Sequence, residues 1–556
     1  LAHLTGNAFY DEKHSLADMT DSTLDMDNST LAMTDSPLEG VRIGINYLDH
    51  QVEGIRWMMG RESGDAPWCR GGILADDMGL GKTFQIIGLI KNGAALRTLV
   101  VCPPALYSPW REELRACGFN VHGTVAETPS GGGPEAVPIW LTTYPRLSAH
   151  YDDFAEVEFG RVVLDEGHNI RNGDTGRKSG TGTNISVKVR RSRFTACNDI
   201  AETAECRWIV SATPIQNGKQ DWANLCKWLR VRMTAPGDTE TADVPMTLAE
   251  GQAVAADIML RRTMAELRGV MTAIPPAPVF ENHDLTIPSG SKEGRLFNAL
   301  CNQLQNAMDS KTVSGLIKLE LYLRIQQFLV HPQIYIESMR TKFKGAYPRP
   351  DWTASATKWT AVMTEVSKAI TDRCPAIVFC NFRAEMDRMV AAAEEAGGAV
   401  WAIRGGMGSE KVGEAVIAAR AAAAEGLPVV IVVQIVSGGC GLNLQFCKRV
   451  FFLSQHWNPA VVHQAVGRAV RIGQTVPVEV HTFRVVDDVL DNLDRRMAQL
   501  HLFKIGLARQ YCASLYEGYE PLQEEYSEDF LIAGAIAPEE EVSDSEGDGE
   551  GENPTA

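Results

Sequence analysis

Residues 71–90 read GGILADDMGLGKTFQIIGLI. A short apolar run over Gly72–Ala75 predicts a strand, the glycine-containing stretch after it a loop, and the apolar run from Lys82 a helix. In that order the residues build a phosphate cradle. Gly79 and Gly81 let backbone N–H groups turn inward around a triphosphate at the positive end of the helix. Lys82 can reach the terminal phosphates and Thr83 can hold Mg²⁺. The strict pattern carries glycine where Asp76 stands, so the match is imperfect by one residue.

The same grammar of β-branched run, loop and helix-like segment extends in both directions. In the first block the runs are Gly72–Ala75, Thr98–Cys102, Ile139–Thr143, Arg161–Leu164 and Trp208–Ser211. In the second they are Ala376–Cys380, Ala399–Ile403, Val429–Val433, Val450–Leu453 and Val478–Phe483. Such alternation predicts an α/β protein with parallel sheets in two similar lobes. Between the blocks, residues of roughly 225–355 read as helical, broken at Ile274–Pro278. A Gly/Ser/Thr-rich stretch over 169–205 reads as a surface insertion, with Lys188, Arg190, Arg191 and Arg193 in its second half.

Three more stretches carry chemistry. RVVLDEGHNI (161–170) ends a strand in two carboxylates about eighty residues after the phosphate loop. Asp165 would bind the metal directly or through water, Glu166 would polarise the attacking water, and His168 would link the pair to the neighbouring loop. RWIVSATPIQN (207–217) puts Ser211, Ala212, Thr213 and Pro214 at another strand end, where small hydroxyls can relay the state of the γ-phosphate. HQAVGRAVRIGQT (463–475) puts Arg468 and Arg471 on one helical face after Gln464. A guanidinium supplied across a cleft neutralises charge on a transferred phosphoryl group. Cradle on one lobe and arginines on the other make ATP the link between lobes.

A formal charge of –17 argues against a nucleic-acid partner until it is mapped. Residues 1–40 carry eight acids and one lysine, and residues 517–556 carry fourteen acids with neither lysine nor arginine, so 41–516 is about +4. The acidity is terminal, in Asp/Glu/Ser/Gly/Thr-rich tails expected to be largely disordered. Such tails either solvate the protein or mimic DNA against basic partners such as histones, or against the protein's own cleft. The longest strongly apolar run, Pro428 to Val436, is too short for a bilayer, and no leader opens the chain. A start at Leu1 leaves room for residues ahead of it. Twelve scattered cysteines without a CxxC pair suggest a reducing compartment and argue against a zinc module.

In order and spacing the four motifs resemble those of superfamily-two helicase-like ATPases, and the flanking residues narrow the resemblance to the Swi/Snf family. LDHQVEGIRWM (48–58), VVCPPALYSPW (100–110), LTTYPRL (141–147), MLRRT (259–263), GGCGLNL (438–444) and HWNPA (456–460) are similar to its signatures; WNP followed by QAxGRxxRIGQ is the most specific. The likeness covers about residues 41–500. It implies two RecA-like lobes of the P-loop NTPase class: lobe one over 41–230, a helical linker or protrusion over 231–354, and lobe two over 355–500. An acidic N-terminal segment (1–40) precedes them, and a helix with an acidic tail (501–556) follows.

The resemblance further implies that Gln51 reads adenine, and that Asp77 and Gln464 join Gly79, Gly81, Lys82 and Thr83 around the nucleotide. It implies nucleic-acid contacts near Pro103, Thr142, Thr143 and Tyr144 on lobe one and near Gly438, Gly439, Gly441 and Asn443 on lobe two. Hydroxyls, amides and close-approaching glycines suit a sugar–phosphate backbone, which positions without reading sequence. Arg261 and Arg262 match a basic pair in the lobe-bridging segment. The pattern departs at Asp77, usually Glu, and at Gln434, Val436 and Gly405. The expectation is therefore a nuclear, ATP- and Mg²⁺-dependent translocase on double-stranded DNA, engaged in chromatin remodelling or repair, with nucleosomes or histones as candidate partners of the tails. An RNA-directed helicase and an ATP-gated DNA-binding scaffold are the alternatives.

Overall fold

The computed structural model describes residues 38, 46–64, 68–123, 138–170, 191–231, 247–310, 312–438, 441–454, 456–486 and 493–516. Both acidic tails apart from residue 38, and Lys188, Arg190 and Gly439, lie outside these residues.

The first sheet has seven parallel strands: β1 (Gly71–Leu74), β2 (Thr98–Cys102), β3 (Val121–His122), β4 (Ile139–Thr143), β5 (Arg161–Asp165), β6 (Cys206–Val210) and β7 (Met259–Leu260). They lie side by side in the order β3-β4-β2-β5-β6-β1-β7. Side chains alternate between two buried faces. Leu74, Val100, Val163 and Trp208 pack on one side with Ile55, Met58 and Ile86. Ile73, Leu99, Val101, Val162, Leu164 and Ile209 pack on the other. Because helices cover both faces, these strands read as unbroken apolar runs.

The second sheet has six parallel strands: β8 (Val279–Leu285), β9 (Ala376–Cys380), β10 (Ala399–Ile403), β11 (Val429–Gln434), β12 (Arg449–Phe452) and β13 (Glu479–Val485). Their order is β10-β11-β9-β12-β13-β8. All ten apolar runs are strands, so the fold is α/β with two RecA-like lobes.

The region read as helical between the blocks needs correcting, because it also supplies β7 and β8. Strand β8 escapes a reading by apolar runs because it lies at an edge, pairs only with β13, and leaves Val279, Glu281, Asn282 and Asp284 mostly exposed. The insertion also shortens. Residues 193–200 form a helix capped by Ser192 that buries Phe194, Ala196, Cys197 and Ile200. Arg191 lies 4.1 Å over the Tyr151 ring and pairs with Asp199.

Residues 287–352 form a compact unit of their own. Its helices span Lys292–Asp309, Gly315–Val330 and Pro332–Lys342 and enclose Phe297, Leu300, Phe328 and Leu329. Among the described residues no helix is long and apolar enough to cross a membrane.

Candidate functional site

In a parallel sheet the loops after adjacent strands open on one edge, where ligands of such folds bind. Strands β5, β6 and β1 are neighbours, so the loops holding Asp165–Glu166, Ser211–Pro214 and Ala75–Gly81 meet there. Gly79 and Gly81 have φ of 91° and 81°, a left-handed backbone open to glycine at no steric cost. A Cβ on Gly81 would sit 2.3 Å from Gln51 Nε2. Gln51 belongs to helix Asp49–Ser63; its Nε2 donates to Leu80 O at 3.2 Å, and His50 Nε2 bonds the same carbonyl at 2.9 Å. The phosphate loop is thus gripped from outside by helix Asp49–Ser63.

Lys82 opens helix Lys82–Asn92 and turns its amine back on the loop, donating to Asp76 O (2.7 Å) and Asp77 O (3.1 Å). Burial pulls its pKa below the ordinary lysine range, against the opposing charges of Glu166, Asp76, Asp77 and Asp165. Thr83 follows it, half-buried in the first turn. Asp76, where the strict pattern carries glycine, has a partner that explains it. Its fully buried carboxylate accepts from Arg262 N and Nε (3.0 Å each), from Arg262 Nη2 (2.6 Å) and from Gln85 Nε2 (2.8 Å). Asp77 accepts from Arg261 Nη2 (2.5 Å) and Met264 N (3.0 Å). Arg261 also donates to Ala75 O, Ala212 O and Ser514 O, tying the phosphate loop, the Ser211–Pro214 loop and the C-terminal segment together. The motif MLRRT gave no sign of these contacts, because all of Arg262's partners lie 177 or more positions earlier in the chain.

The acid pair is held as tightly. Asp165 Oδ1 accepts from Glu166 N (3.0 Å) and Oδ2 from Trp110 Nε1 (2.6 Å). Glu166 sits at φ 50°, a strained backbone for a residue other than glycine. Its Oε2 lies 3.3 Å from both Ser211 Oγ and His168 Nδ1, and the two partners are 3.4 Å apart, so His168 does connect the pair to the neighbouring loop. Burial and the adjacent Glu166 charge raise the Asp165 pKa. Burial acts the same way on Glu166, but the hydrogen bond and charge of His168, with Lys82 and Arg468, hold it below the ordinary range. Asp165 and Glu166 are adjoining buried carboxylates whose repulsion a divalent cation would relieve, so the oxygen chemistry at Asp165 fits Mg²⁺.

Lobe two closes on this edge. Gln464, in helix Pro459–Val466, donates from Nε2 to Glu166 Oε2 at 3.3 Å. A Cβ on Gly467 would meet Met78 Sδ at 2.6 Å, and one on Gly79 would come within 3.4 Å of Arg471 Cα. Arg468 is buried near enough to Glu166 to favour its charged form. Arg471 is turned toward its own lobe, donating from Nη1 to Leu442 O at 3.1 Å, and burial beside Arg468 lowers its pKa to about 9. Two interlobe contacts were not foreseen: Asn458 Nδ2 to Gln216 Oε1 (2.9 Å) and Lys504 Nζ to Asn217 Oδ1 (3.0 Å). Asn458 stands in the quoted HWNPA, but no spacing rule reveals its partner.

The nucleic-acid candidates divide. Pro103, Thr142 and Tyr144 are buried. Tyr144 donates its hydroxyl to Asp165 O at 2.8 Å. Strand β4 carries Thr142 into the sheet, and Thr143 at its end is half-exposed; it caps helix Tyr144–Ala149 through Arg146 N. On lobe two, Gly438 ends the short helix 435–438, and Asn443 is half-buried with Oδ1 accepting from Gln445 N at 3.4 Å. Gly441, at φ 79°, meets lobe one, since a Cβ there would lie 3.0 Å from both Ala105 O and Leu106 Cδ2. The candidate segments of the two lobes therefore adjoin at 103–106 and 441. Gln434, one of the departures, accepts from Gly405 N at 2.9 Å.

Comparison with known proteins extends this geometry. The SNF2-related domain matches residues 50–276 and the helicase conserved C-terminal domain residues 357–473. The chain is 27% identical over 512 residues to a probable global transactivator of Orgyia pseudotsugata multicapsid polyhedrosis virus, covering 87% of this chain and 94% of that one. It is 23% identical over 494 residues to the DNA repair and recombination protein RAD54 of Saccharomyces cerevisiae, covering 77% and 52%. It spans 32% and 47% of the length of an uncharacterised ATP-dependent helicase of Schizosaccharomyces pombe and a putative ATP-dependent helicase/translocase of Bacillus subtilis. A solved Sulfolobus solfataricus SWI2/SNF2 ATPase core in complex with dsDNA is 23% identical, covering 86% of this chain and 96% of that one, with a TM-score of 0.35.

Proposed function

The chain is a member of the SNF2 family of helicase-like ATPases, and on that premise we propose that it is an ATP- and Mg²⁺-dependent translocase on double-stranded DNA. The observation that carries this reading is the reach of Gln464 from lobe two to Glu166 in lobe one, 3.3 Å across the cleft. It supports a nucleotide held between the lobes, so that hydrolysis alters the grip of one lobe on the other and a track bound across both feels an alternating hold.

In this reading ATP is cradled by Gly79, Gly81, Lys82 and Thr83, with Gln51, Asp77 and Gln464 around the nucleotide. Lys82 exchanges its loop carbonyls for phosphate oxygens. Glu166 orients the attacking water, held by Ser211 and His168. Arg468 and, after a rotation away from Leu442 O, Arg471 meet the negative charge that develops on the transferred group, a contribution typically worth about 10³–10⁵ in rate. Mg²⁺ would be held by Thr83 and Asp165 and would neutralise part of that charge. DNA runs along the junction of 103–106 with 441, met by Thr143, Gly438, Gly439 and Asn443. Relatives named as DNA repair proteins support a nuclear task in remodelling or repair, with the acidic tails meeting histones.

The test is ATP turnover measured side by side with duplex DNA, single-stranded DNA, RNA and nucleosomes, together with displacement of a triplex-forming strand. The translocase predicts strongest stimulation by duplex DNA and ATP-dependent displacement, both lost in Lys82→Ala. Stimulation by RNA alone would replace the DNA track, and binding without displacement would leave a scaffold. Wild-type turnover in Lys82→Ala would contradict the phosphate loop itself.

A further inference from the structure

Trp110 lies outside every role given so far, yet its indole N–H donates to Asp165 Oδ2 at 2.6 Å. The side chain is 1% exposed and belongs to helix Tyr107–Ala116. An indole N–H is a donor only. Directed at a carboxylate it makes a short, charge-assisted bond. With Glu166 N on Oδ1 at 3.0 Å, it fixes both oxygens and hence the plane of the group. Packing alone requires none of this, because an apolar ring system of the same shape would fill the core without an N–H.

The helix that carries Trp110 continues without a break from the turn Pro104–Leu106. Ala105 O and Leu106 of that turn form the wall against which Gly441 of the second lobe fits. Trp110 is the fourth residue of its helix, about 4.5 Å of axial rise from its start. One short rigid element therefore holds, at one end, the junction assigned to nucleic acid and, at the other, the donor on Asp165. A displacement of the turn carries the indole with it.

We propose that Trp110 is a positioning residue that couples the surface at residues 103–106 to the orientation of the Asp165 carboxylate, so that nucleotide binding and turnover respond to the track. This rests on the reading of Asp165 as the carboxylate on the Mg²⁺ side of the site.

The test uses the full chain, with Trp110→Phe and with 3-benzothienylalanine at position 110, which keeps the shape of the indole but has sulfur in place of N–H. Two quantities are read: the affinity of a fluorescent ATP analogue with and without Mg²⁺, and the ratio of turnover with and without duplex DNA. Both substitutions should cut the Mg²⁺-dependent gain in affinity and the DNA stimulation by about tenfold each, the lower end of the effect of losing a supporting hydrogen bond to a metal ligand. Affinity without Mg²⁺ should stay constant. Wild-type values for the benzothienyl protein in both readouts would overturn the proposal, even where Trp110→Phe loses stability, because they would reduce Trp110 to packing. Asp165→Ala separates the two readings: if the Mg²⁺-dependent gain survives there, the site assignment fails first.

Discussion

Gln464 of the second lobe and Glu166 of the first are joined by a 3.3 Å hydrogen bond, although 298 residues separate them in the chain. Glu166 Oε2 also receives Ser211 Oγ, so one carboxylate oxygen gathers side chains from both lobes. Its position therefore depends on how the cleft is closed, and the same closure buries Arg468.

Gln464→Ala removes the donor without adding charge and should lower kcat for ATP about ten- to a hundredfold, the range for a mispositioned general base. Gln464→Glu sets a carboxylate against Glu166 and should cost more. Steady-state turnover alongside a melting curve checks both; wild-type kcat in the two proteins would show that the bond does not matter to turnover.

Arg262→Met strands the Asp76 carboxylate, which is fully buried. Breaking such a pair from one side costs about 3–5 kcal/mol, read as an earlier midpoint in urea unfolding. The double substitution Arg262→Met with Asp76→Asn should recover part of the loss. No recovery would mean that Arg262 acts through its bonds to His50 O and Gln85 rather than through Asp76.

Thr142 Oγ1 is buried with no hydrogen-bond partner among the described residues. Thr142→Val keeps the shape and removes the unsatisfied hydroxyl, so stability should stay within about 1 kcal/mol of wild type or rise. Duplex affinity should not change. A marked loss of DNA binding with stability intact would return Thr142 to the nucleic-acid surface.

Glu385 is fully buried, and burial raises its pKa to about 7 despite backbone donation from Asn381 and Phe382. A carboxyl whose folded pKa exceeds its unfolded value of about 4.3 stabilises the fold fully below that value, and the contribution is lost as pH rises toward 7. Glu385→Gln keeps an oxygen for the two N–H groups and should abolish this slope, with a gain on the order of 2 kcal/mol near pH 8 relative to wild type. Unfolding midpoints from pH 4.5 to pH 8 test it; an unchanged slope would assign the pH dependence to other groups.

The C-terminal segment buries Tyr516, whose hydroxyl donates to Ile215 O at 3.2 Å and whose ring lies 5.8 Å from that of His463. The acidic residues 517–556 start from that point. Their deletion should raise duplex affinity, most at low salt, because phosphate binding and screening are both steeply salt-dependent. Equal affinity across the salt range would dispose of competition by the tail.

What the sequence determined by itself was everything governed by neighbours in the chain. Ten strands were legible because buried parallel strands are continuous apolar runs. The phosphate loop was legible because Gly79, Gly81, Lys82 and Thr83 act within one turn, and the acid pair because Asp165 and Glu166 end such a run. Only the tertiary structure decided which residues serve these groups from a distance. Arg262 on Asp76, Trp110 on Asp165, Gln464 on Glu166 and Asn458 on Gln216 are separated by 55 to 298 positions. The same holds for burial, which makes Tyr144 a support for Asp165, and for edge strand β8, whose exposed residues have no apolar period to read. Periodicity reports the face a residue presents, whereas a hydrogen bond between distant segments depends on where the packed sheets bring their loops together.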